Sequence, residues 1–280
     1  MAQTIEEFSP EHGAWNDPDT LLLMLQEIEQ TTCHSTSSHP CQLRREGVAK
    51  LQLALQVPDP NQARRMVHQV LQQDPNCLIA YSVLAYLEPQ LEDALRTHEV
   101  GLRYGKQELQ AKQIMNAEGR IVSFTEALPY LRLLQSYALG LLQAGKWEEA
   151  LQASRQLLRA DPSDPFGIRE MKVPLLLLLG YWDQAAWHLQ RYASNDSLTL
   201  QVAKGYLMFA QHHFVEAKLT MQNLRTRNDL LLAWLAGEDG ISAHSPTTME
   251  AVYAYSQLFL LAEANPSFRD FCARIRMIED

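Results

Sequence analysis

A glycine, an aromatic residue and an alanine recur together at nearly constant spacing, and this pattern constrains the fold more than any other feature of the chain. The aromatic residue follows the glycine by two positions, and the alanine follows it by five. The pattern occurs at Gly145-Trp147-Ala150, again 35 residues later at Gly180-Trp182-Ala185, and a third time, without the glycine, at Phe214 and Ala217. Repeats separated by roughly 20–50 residues are typical of solenoid proteins, so the pattern predicts a chain built from repeated units.

The segments between these markers have the apolar periodicity of α-helices, and strand signals are almost absent. Gly145 is placed to take the left-handed conformation that ends a helix, and Trp147 opens the next helix. Asp161-Pro162 stops that second helix, while Ala63 and Ala94 mark two further helices of the same kind upstream. Helices of this length joined by short turns pack antiparallel to their neighbours, so each unit is expected to be a helix pair.

We therefore expect one continuous all-α domain, a right-handed α-solenoid of antiparallel helix pairs. Residues 1–42 are interpreted as an N-terminal helix followed by a loop over residues 32–41. Residues 43–236 hold the repeats, and within them residues 105–122 are polar and predicted helical but fit no repeat. Residues 237–280 start with a loop and continue as two helices, which are expected to cap the exposed end of the array.

Charge and hydropathy exclude several classes of partner. The net charge of −9 disfavours nucleic acid, because binding to phosphates requires a basic face. The longest aliphatic run, Leu175 to Leu179, is far shorter than the roughly 20 residues that span a bilayer. The N-terminus has neither the basic start nor the apolar stretch of a signal peptide. We expect a cytoplasmic protein that binds neither nucleic acid nor membrane.

The sequence offers little that resembles catalytic or metal chemistry. The glycine-rich phosphate and dinucleotide motifs, the nucleophile elbow and the H-E-x-x-H zinc motif do not occur. The single ligand-like cluster consists of Cys33, His34, His39 and Cys41, and it lacks the paired spacing of zinc fingers. A loop with two free thiols is the favoured interpretation, with zinc as the alternative. We therefore expect no enzyme, no metal and no cofactor.

Several segments between Pro129 and Phe271 share features with one family. They are PYLRLL, the LQAGKWEEAL turn, DPSDPFGIRE with the helix VPLLLLLGYWDQA after it, HLQRYASND and TTMEAVYAYSQLF. The stretch resembles a bacterial branch of tetratricopeptide-like proteins related to the suppression-of-tumorigenicity 7 family, although Leu128 stands where that family usually has Arg before Pro-Tyr. The offsets of 35 and 32 residues also lie near the roughly 34-residue tetratricopeptide period. The resemblance implies a helical repeat protein and supplies no catalytic residue.

The repeat geometry assigns candidate binding residues, because the first helix of each pair lines the concave face of such an array. Nine groove candidates follow from aligning three first helices on the repeat alanine. They are Arg132, Gln135, Leu139, Leu142, Glu170, Leu177, Val202, Tyr206 and Phe209. Tyr206 is favoured for the groove and Phe209 for the core, because only Tyr206 has a polar end. Pro174, inside the second of these helices, predicts a bend.

Three tryptophans are further candidates for the core. Trp147, Trp182 and Trp187 lie at helical positions and are expected to pack in the core between repeats.

The groove is largely apolar and lacks the Lys and Asn with which related proteins clamp acidic C-terminal peptides. The function that follows is a non-catalytic scaffold that binds a peptide or partner helix in its concave groove. The alternative is a homodimer that buries the apolar inner or end surface, and an enzyme with an unrecognised site is a third, less favoured class.

Overall fold

The computed structural model describes residues 21–22, 25, 39–117, 119–192, 197–238 and 246–277. Within these ranges the chain is all-α and contains no strand, which confirms the all-α part of the predicted fold. Thirteen α-helices and three short 3-10 turns account for most of the described backbone from residue 39 onward. None of the described helices is both long enough and apolar enough to cross a membrane.

Packing divides the described residues into two compact units, one within residues 15–168 and one within residues 169–277. The helices of the first unit are α1 (His39–Gln56), α2 (Pro60–Gln73), α3 (Leu78–Leu87), α4 (Leu91–Ala111), α5 (Leu128–Gln143) and α6 (Trp147–Ala160). Three 3-10 turns connect α4 to α5, at Ile114–Asn116, Ile121–Ser123 and Thr125–Ala127. Each α-helix contacts the next one along the chain from α1 to α6, and α3 also contacts α5.

The helices from residue 168 onward are α7 (Ile168–Leu178), α8 (Trp182–Arg191), α9 (Leu198–Ala210), α10 (Phe214–Arg227), α11 (Asp229–Leu235), α12 (Pro246–Ala264) and α13 (Pro266–Arg276). Within the second unit α9 contacts α8, α10 and α12. The two helices predicted after residue 237 are α12 and α13. Helix α7 runs through Pro174 without interruption.

Three helix pairs are joined by the same three-residue connection, which is a repeat that the backbone itself displays. Gly145, Gly180 and His212 all take positive φ, at 70°, 73° and 63°. At Gly145 the amide N–H donates to the carbonyl of Leu142 at 3.2 Å, and the next amide, that of Lys146, donates to Leu141 at 2.9 Å. The corresponding pairs of bonds close α7 and α9. This is the Schellman closure, and it confirms the left-handed conformation predicted at Gly145.

The Asp-Pro steps end helices as predicted, and the structure adds the reason. Helix α6 stops at Ala160, and the Asp161 carboxylate accepts from the Ser163 amide at 2.8 Å. Helix α2 stops at Gln73, and the Asp74 carboxylate accepts from the Asn76 amide at 3.0 Å. In each case the side chain stabilises a turn after the helix, while the following proline cannot supply an amide to continue it.

The alanines that define the repeat are all core residues. They are Ala63, Ala94, Ala150, Ala185 and Ala217, each almost or completely inaccessible to solvent. A small side chain at these positions lets two helices approach closely, as the repeat register predicts. The buried alanines therefore agree with the predicted alignment of the repeats.

Helix α4 is longer than the repeat pattern indicates, and two of its glycines explain why it packs so closely. It continues beyond Gly105 to Ala111, so the predicted helical character of residues 105–122 holds only for the first part of that segment. A Cβ atom on Gly101 would lie 2.8 Å from the Leu133 Cδ2 atom, and one on Gly105 would lie 2.6 Å from the Leu78 Cδ1 atom. The two glycines thus let α4 pack directly against α3 and α5.

The structure corrects one boundary near the N-terminus. Helix α1 begins at His39, so the last three residues of the loop predicted over residues 32–41 are helical. Cys33 and His34 lie outside the described residues, as do the side chains of His39 and Cys41, and the zinc alternative therefore stays a prediction. The predicted N-terminal helix also falls largely on residues outside the described ranges.

Candidate interaction surface

The nine groove candidates do not lie on one open face. Four of them are core residues, namely Leu142, Leu177, Val202 and Tyr206. The other five are partly buried, namely Arg132, Gln135, Leu139, Glu170 and Phe209. The apolar character of the first helices, which suggested an apolar groove, instead reflects burial of these helices within their own units.

Arg132 and Gln135 contact the turn that precedes α7. The Arg132 guanidinium lies over the ring of Phe166, 4.8 Å from its centroid. The Gln135 Nε2 atom donates to the Phe166 carbonyl oxygen at 3.2 Å. The turn is further ordered by Asp164, whose carboxylate accepts from the Ile168 amide at 2.7 Å. These two polar candidates therefore hold the DPSDPFG turn in place, which is a structural role.

Tyr206 and Phe209 belong to an aromatic cluster in the second unit. The Tyr206 ring packs edge-on against Phe268 of α13, with centroids 4.9 Å apart, and only 6% of Tyr206 is exposed. The ring centroid of Phe209 lies 4.9 Å from that of Phe271 and 5.6 Å from that of Phe214. The preference for Tyr206 at the surface is therefore wrong in this structure, because Phe268 of α13 and Trp182 of α8 both pack against its ring, whereas Phe209 stays partly exposed.

The tryptophans correct the sequence interpretation in the opposite direction. Trp182 and Trp187 were expected in the core, yet they are 38% and 54% exposed, while Trp147 is partly buried. The pattern matched these positions because an aromatic residue starts each second helix. Helix α8 is only ten residues long and buries fully just one of them, Ala185, so most of its large side chains remain at the surface.

Exposed apolar residues are concentrated on α8, α10 and the residue before α8. We call these residues the α8–α10 surface, and they are Tyr181, Trp182, Trp187, Phe214, Val215 and Leu219. Six of the eleven large apolar residues that are exposed in the described part of the chain lie in this stretch of sequence, between residues 181 and 219. Val215, at 71% exposure, and Leu219, at 57%, lie one helical turn apart on α10.

The sequence does contain a signal for this surface. Helix α10 buries Ala217, Met221 and Leu224, which lie on one face at helical spacing. Val215 and Leu219 form a second apolar stripe that this buried face does not include. An amphipathic helix needs only one apolar stripe to pack against the protein core. The second stripe on α10 could therefore have been recognised from the sequence as an exposed apolar face.

Aromatic rings and cations alternate at the C-terminal end of α8. The Arg191 Cζ atom lies 5.3 Å from the Trp187 ring centroid, and Trp187 meets His188 edge-on at 4.8 Å. His188 stacks on Tyr192 with centroids 6.0 Å apart. The guanidinium of Arg169, in the first turn of α7, lies 4.7 Å from the Tyr192 centroid. Contacts of this geometry are cation–π and aromatic pairs, which hold exposed side chains in defined positions.

The local field around this group is positive. Burial, and then repulsion from the positive charges of Lys172, Arg169 and Arg191, together lower the pKa of His188 to about 4. His188 is therefore neutral at pH 7, and the positive charge resides on the arginines and the lysine.

The described thiols do not add a reactive group to this surface. Burial raises the pKa of Cys272 to about 12, so the side chain is a neutral thiol at physiological pH. Cys77 lies in the other unit, immediately before α3. The contacts that the described side chains of the α8–α10 surface offer are apolar, cation–π and charged ones.

Comparison of the chain with protein-family models, with curated proteins and with solved structures finds no match.

Proposed function

We propose that this protein is a non-catalytic scaffold of stacked helix pairs and that it binds a protein partner through the α8–α10 surface. The exposure of Trp187, Val215 and Leu219 is the observation on which the proposal rests. Protein interfaces are enriched in tryptophan, tyrosine, phenylalanine and arginine, and their most important contacts come from such residues. The proposed site differs from the concave groove expected from the sequence, because four of the groove candidates are core residues.

A right-handed solenoid of antiparallel pairs is part of the proposal, and local contacts within each unit support it. Three pairs share one connection, closed at Gly145, Gly180 and His212. Helix α3 contacts both α4 and α5, as expected when each helix packs on its neighbour and on the corresponding helix of the next pair.

Site-specific photo-crosslinking in cells tests the binding function. A benzophenone amino acid at position 187 should capture one partner at high yield. The matched control carries the crosslinker at Tyr104, an aromatic residue of the other unit with 38% exposure. The same captured product at both positions, or no product at position 187, would contradict the proposed site. If the crosslinked product contains two copies of this chain, the surface mediates self-association and does not bind a different protein.

A pair of matched substitutions separates binding from folding. Leu219→Asp should remove capture at position 187 while leaving the thermal midpoint within about 1–2 °C, because an exposed substitution changes stability little. Leu53→Asp is the control, since Leu53 lies on α1 and is 54% exposed, against 57% for Leu219. Capture that survives Leu219→Asp, or that is lost equally in Leu53→Asp, would refute the assignment of this surface.

A further inference from the structure

Helix α13 lies on the second unit in the way that a helical ligand lies on its receptor. Three of its side chains are completely or almost completely buried, and they are Phe268, Cys272 and Ile275. Their spacing of four and three residues places them on one face of the helix. The charged residues between them are exposed. Apolar side chains at positions i, i+4 and i+7 are the anchors with which an amphipathic helix binds a complementary site on another protein.

The surface that α13 covers includes the two aromatic groove candidates of α9. The ring centroid of Phe268 lies 4.9 Å from that of Tyr206 and 5.5 Å from that of Phe209. The ring centroid of Phe271 also lies 4.9 Å from that of Phe209. Helix α13 further contacts α10, α11 and α12. The surface of α9, α10 and α11 that lies against α13 is called the α13 site below.

Two arginines of α13 contact acceptors on α11 and on the three residues after it. The Arg269 Nε atom donates to the Ala236 carbonyl oxygen at 3.3 Å, and its Nη2 atom donates to the next carbonyl oxygen at 3.4 Å. The Arg276 Nε and Nη2 atoms donate to the Asp229 carboxylate at 3.2 and 2.9 Å. Arg276 also pairs with Glu238. Carbonyl and carboxylate oxygens only accept hydrogen bonds, so this edge of the site favours a helix with basic residues.

The contacts that hold α13 are ones that a second helix can replace. Isolated helices shorter than ~12–15 residues are marginal in water, so the 11 residues of α13 are helical chiefly because the site stabilises them. The side chains of Asp229 and Glu238 are 50% and 53% exposed, so water and salt weaken the ion pairs. Asn265 alone connects α13 to α12, and residues at the ends of helices serve as hinges. The three apolar anchors therefore supply most of the affinity of α13 for its site.

We infer that the α13 site binds a basic amphipathic helix of a partner protein, which takes the place of α13. The helix that fits has an aromatic, a small and an aliphatic side chain at positions i, i+4 and i+7, and a basic residue at positions i+1 and i+8. In α13 these positions are Phe268, Cys272, Ile275, Arg269 and Arg276. This site goes beyond the proposed function, because it contains none of the six residues of the α8–α10 surface.

Competition with a tethered helix determines the expected affinities. Helix α13 is present at a high effective concentration because it belongs to the same chain. A partner helix binds only the fraction of molecules in which α13 has left the site, and its apparent affinity is reduced by that fraction. Weakening α13 without altering the site should therefore strengthen binding of an added helix. Phe268→Ala is such a change, because Phe268 belongs to α13 and not to the surface that α13 covers.

Fluorescence anisotropy on the full chain measures this exchange with labelled peptides. The first peptide has the sequence of residues 265–277 with Cys272→Ala, which prevents disulfide formation. The second peptide has the further change Arg276→Glu. The third peptide keeps the three anchor positions and the two arginines of the first, with alanine and glutamine elsewhere. We expect the first and third peptides to bind the wild-type chain weakly, and the Phe268→Ala chain at least about tenfold more tightly.

Two further variants separate release of α13 from loss of structure. Leu258→Ala is the matched control, since Leu258 is also completely buried but lies on α12 and is not an anchor of α13. It should leave the affinity for the first peptide within about twofold of the wild-type value. Arg276→Glu in the chain removes an exposed contact and empties no core position. It should increase the affinity for the first peptide, to a smaller extent than Phe268→Ala.

A charge exchange between site and peptide gives a result that a misfolded chain cannot produce. The Phe268→Ala chain should prefer the first peptide to the second. Adding Asp229→Arg should reverse that preference, because the sign of one contact changes on both sides. Adding Asp183→Arg instead is the control, since Asp183 is an exposed carboxylate on α8 and the change in net charge is the same. This control should keep the preference for the first peptide.

Several results would overturn the inference. They are equal binding of the first peptide to the wild-type, Phe268→Ala and Leu258→Ala chains, and a preference that Asp229→Arg does not reverse. Absence of binding to the wild-type chain at millimolar peptide would show that α13 is a permanent part of the core. A wild-type dimer that Phe268→Ala abolishes would assign the site to α13 of a second copy, and not to a partner protein. Capture at position 187 tests the α8–α10 surface separately and is unaffected by these outcomes.

Discussion

Two glycines in helices of the first unit should respond oppositely to the same substitution, and the structure supplies the reason. Gly47 and Gly101 are both buried and both lie inside helices, α1 and α4. A Cβ atom added at Gly47 would lie 3.4 Å from the Val70 Cγ1 atom, which is an ordinary contact. A Cβ atom at Gly101 would lie 2.7 Å from the Cγ atom and 2.8 Å from the Cβ atom of Tyr81.

The expected magnitudes follow from two opposing terms. Replacing glycine by alanine inside a helix stabilises it by about 0.8–1 kcal/mol, because the unfolded chain loses conformational freedom. Overpacking a close helix contact costs typically 1–3 kcal/mol. At Gly101 the cost should be near the upper value, because the Cβ atom of Tyr81 is fixed to the α3 backbone and cannot rotate away. The net expectation is a stabilisation of up to about 1 kcal/mol for Gly47→Ala and a destabilisation of about 2 kcal/mol for Gly101→Ala.

Denaturant unfolding monitored by circular dichroism at 222 nm measures both effects on the same chain. A double variant should give the sum of the two changes, since Gly47 and Gly101 share no contact among those closest to their added Cβ atoms. Gly105→Ala, which brings a Cβ atom within 2.9 Å of the Tyr130 Cδ2 atom, should behave like Gly101→Ala. If Gly101→Ala is as stable as Gly47→Ala, the close approach of α4 to α3 and α5 is wrong.

Three other substitutions or conditions test the repeat register and the buried histidine. His212→Gly should stabilise the second unit by about 1 kcal/mol in thermal unfolding, because a residue other than glycine is disfavoured at a φ of 63°; no gain would argue against the shared closure. Ala185→Leu should destabilise by typically 1–3 kcal/mol, and an unchanged melting temperature would contradict the register. Burial lowers the pKa of His98 to about 4, whereas the unfolded chain protonates near 6.5, so the free energy of unfolding should be unaffected above about pH 6.5 and should fall by roughly 3 kcal/mol as the pH drops to 4. The variant His98→Gln should lack that part of the pH dependence, and equal slopes for both proteins would refute it.

Local sequence chemistry determined the helices and their ends. Apolar periodicity, the glycines at positions 145 and 180, and the Asp-Pro steps each act over a few residues, so no distant part of the chain is needed to interpret them. The repeat alanines could also be identified from the sequence. A small residue that recurs at nearly constant spacing from one repeat to the next indicates a close helix contact. These features are the ones that the structure confirms.

The assignment of faces to core or surface could not be obtained in the same way. Tyr206 is buried because α13, which is some sixty residues away in sequence, places Phe268 against it. Arg132 and Gln135 are occupied because the turn before α7 brings Phe166 to them. Trp187 is exposed because no described helix covers that side of α8. Periodicity shows which residues share a face of one helix, but it contains no information on which other helix, if any, packs against that face.

Helix α4 shows the same division within a single element. Its sequence contains Gly101 and Gly105, which local rules treat as weak points or ends of a helix, because glycine has the largest backbone entropy to lose. Only the positions of Leu78, Tyr81, Tyr130 and Leu133 show that no side chain would fit there. The preference of a residue for a helix is a local free energy, whereas the space around it depends on distant side chains. Tertiary packing therefore decided why α4 contains two glycines, which residues form the core, and which aromatic side chains stay exposed.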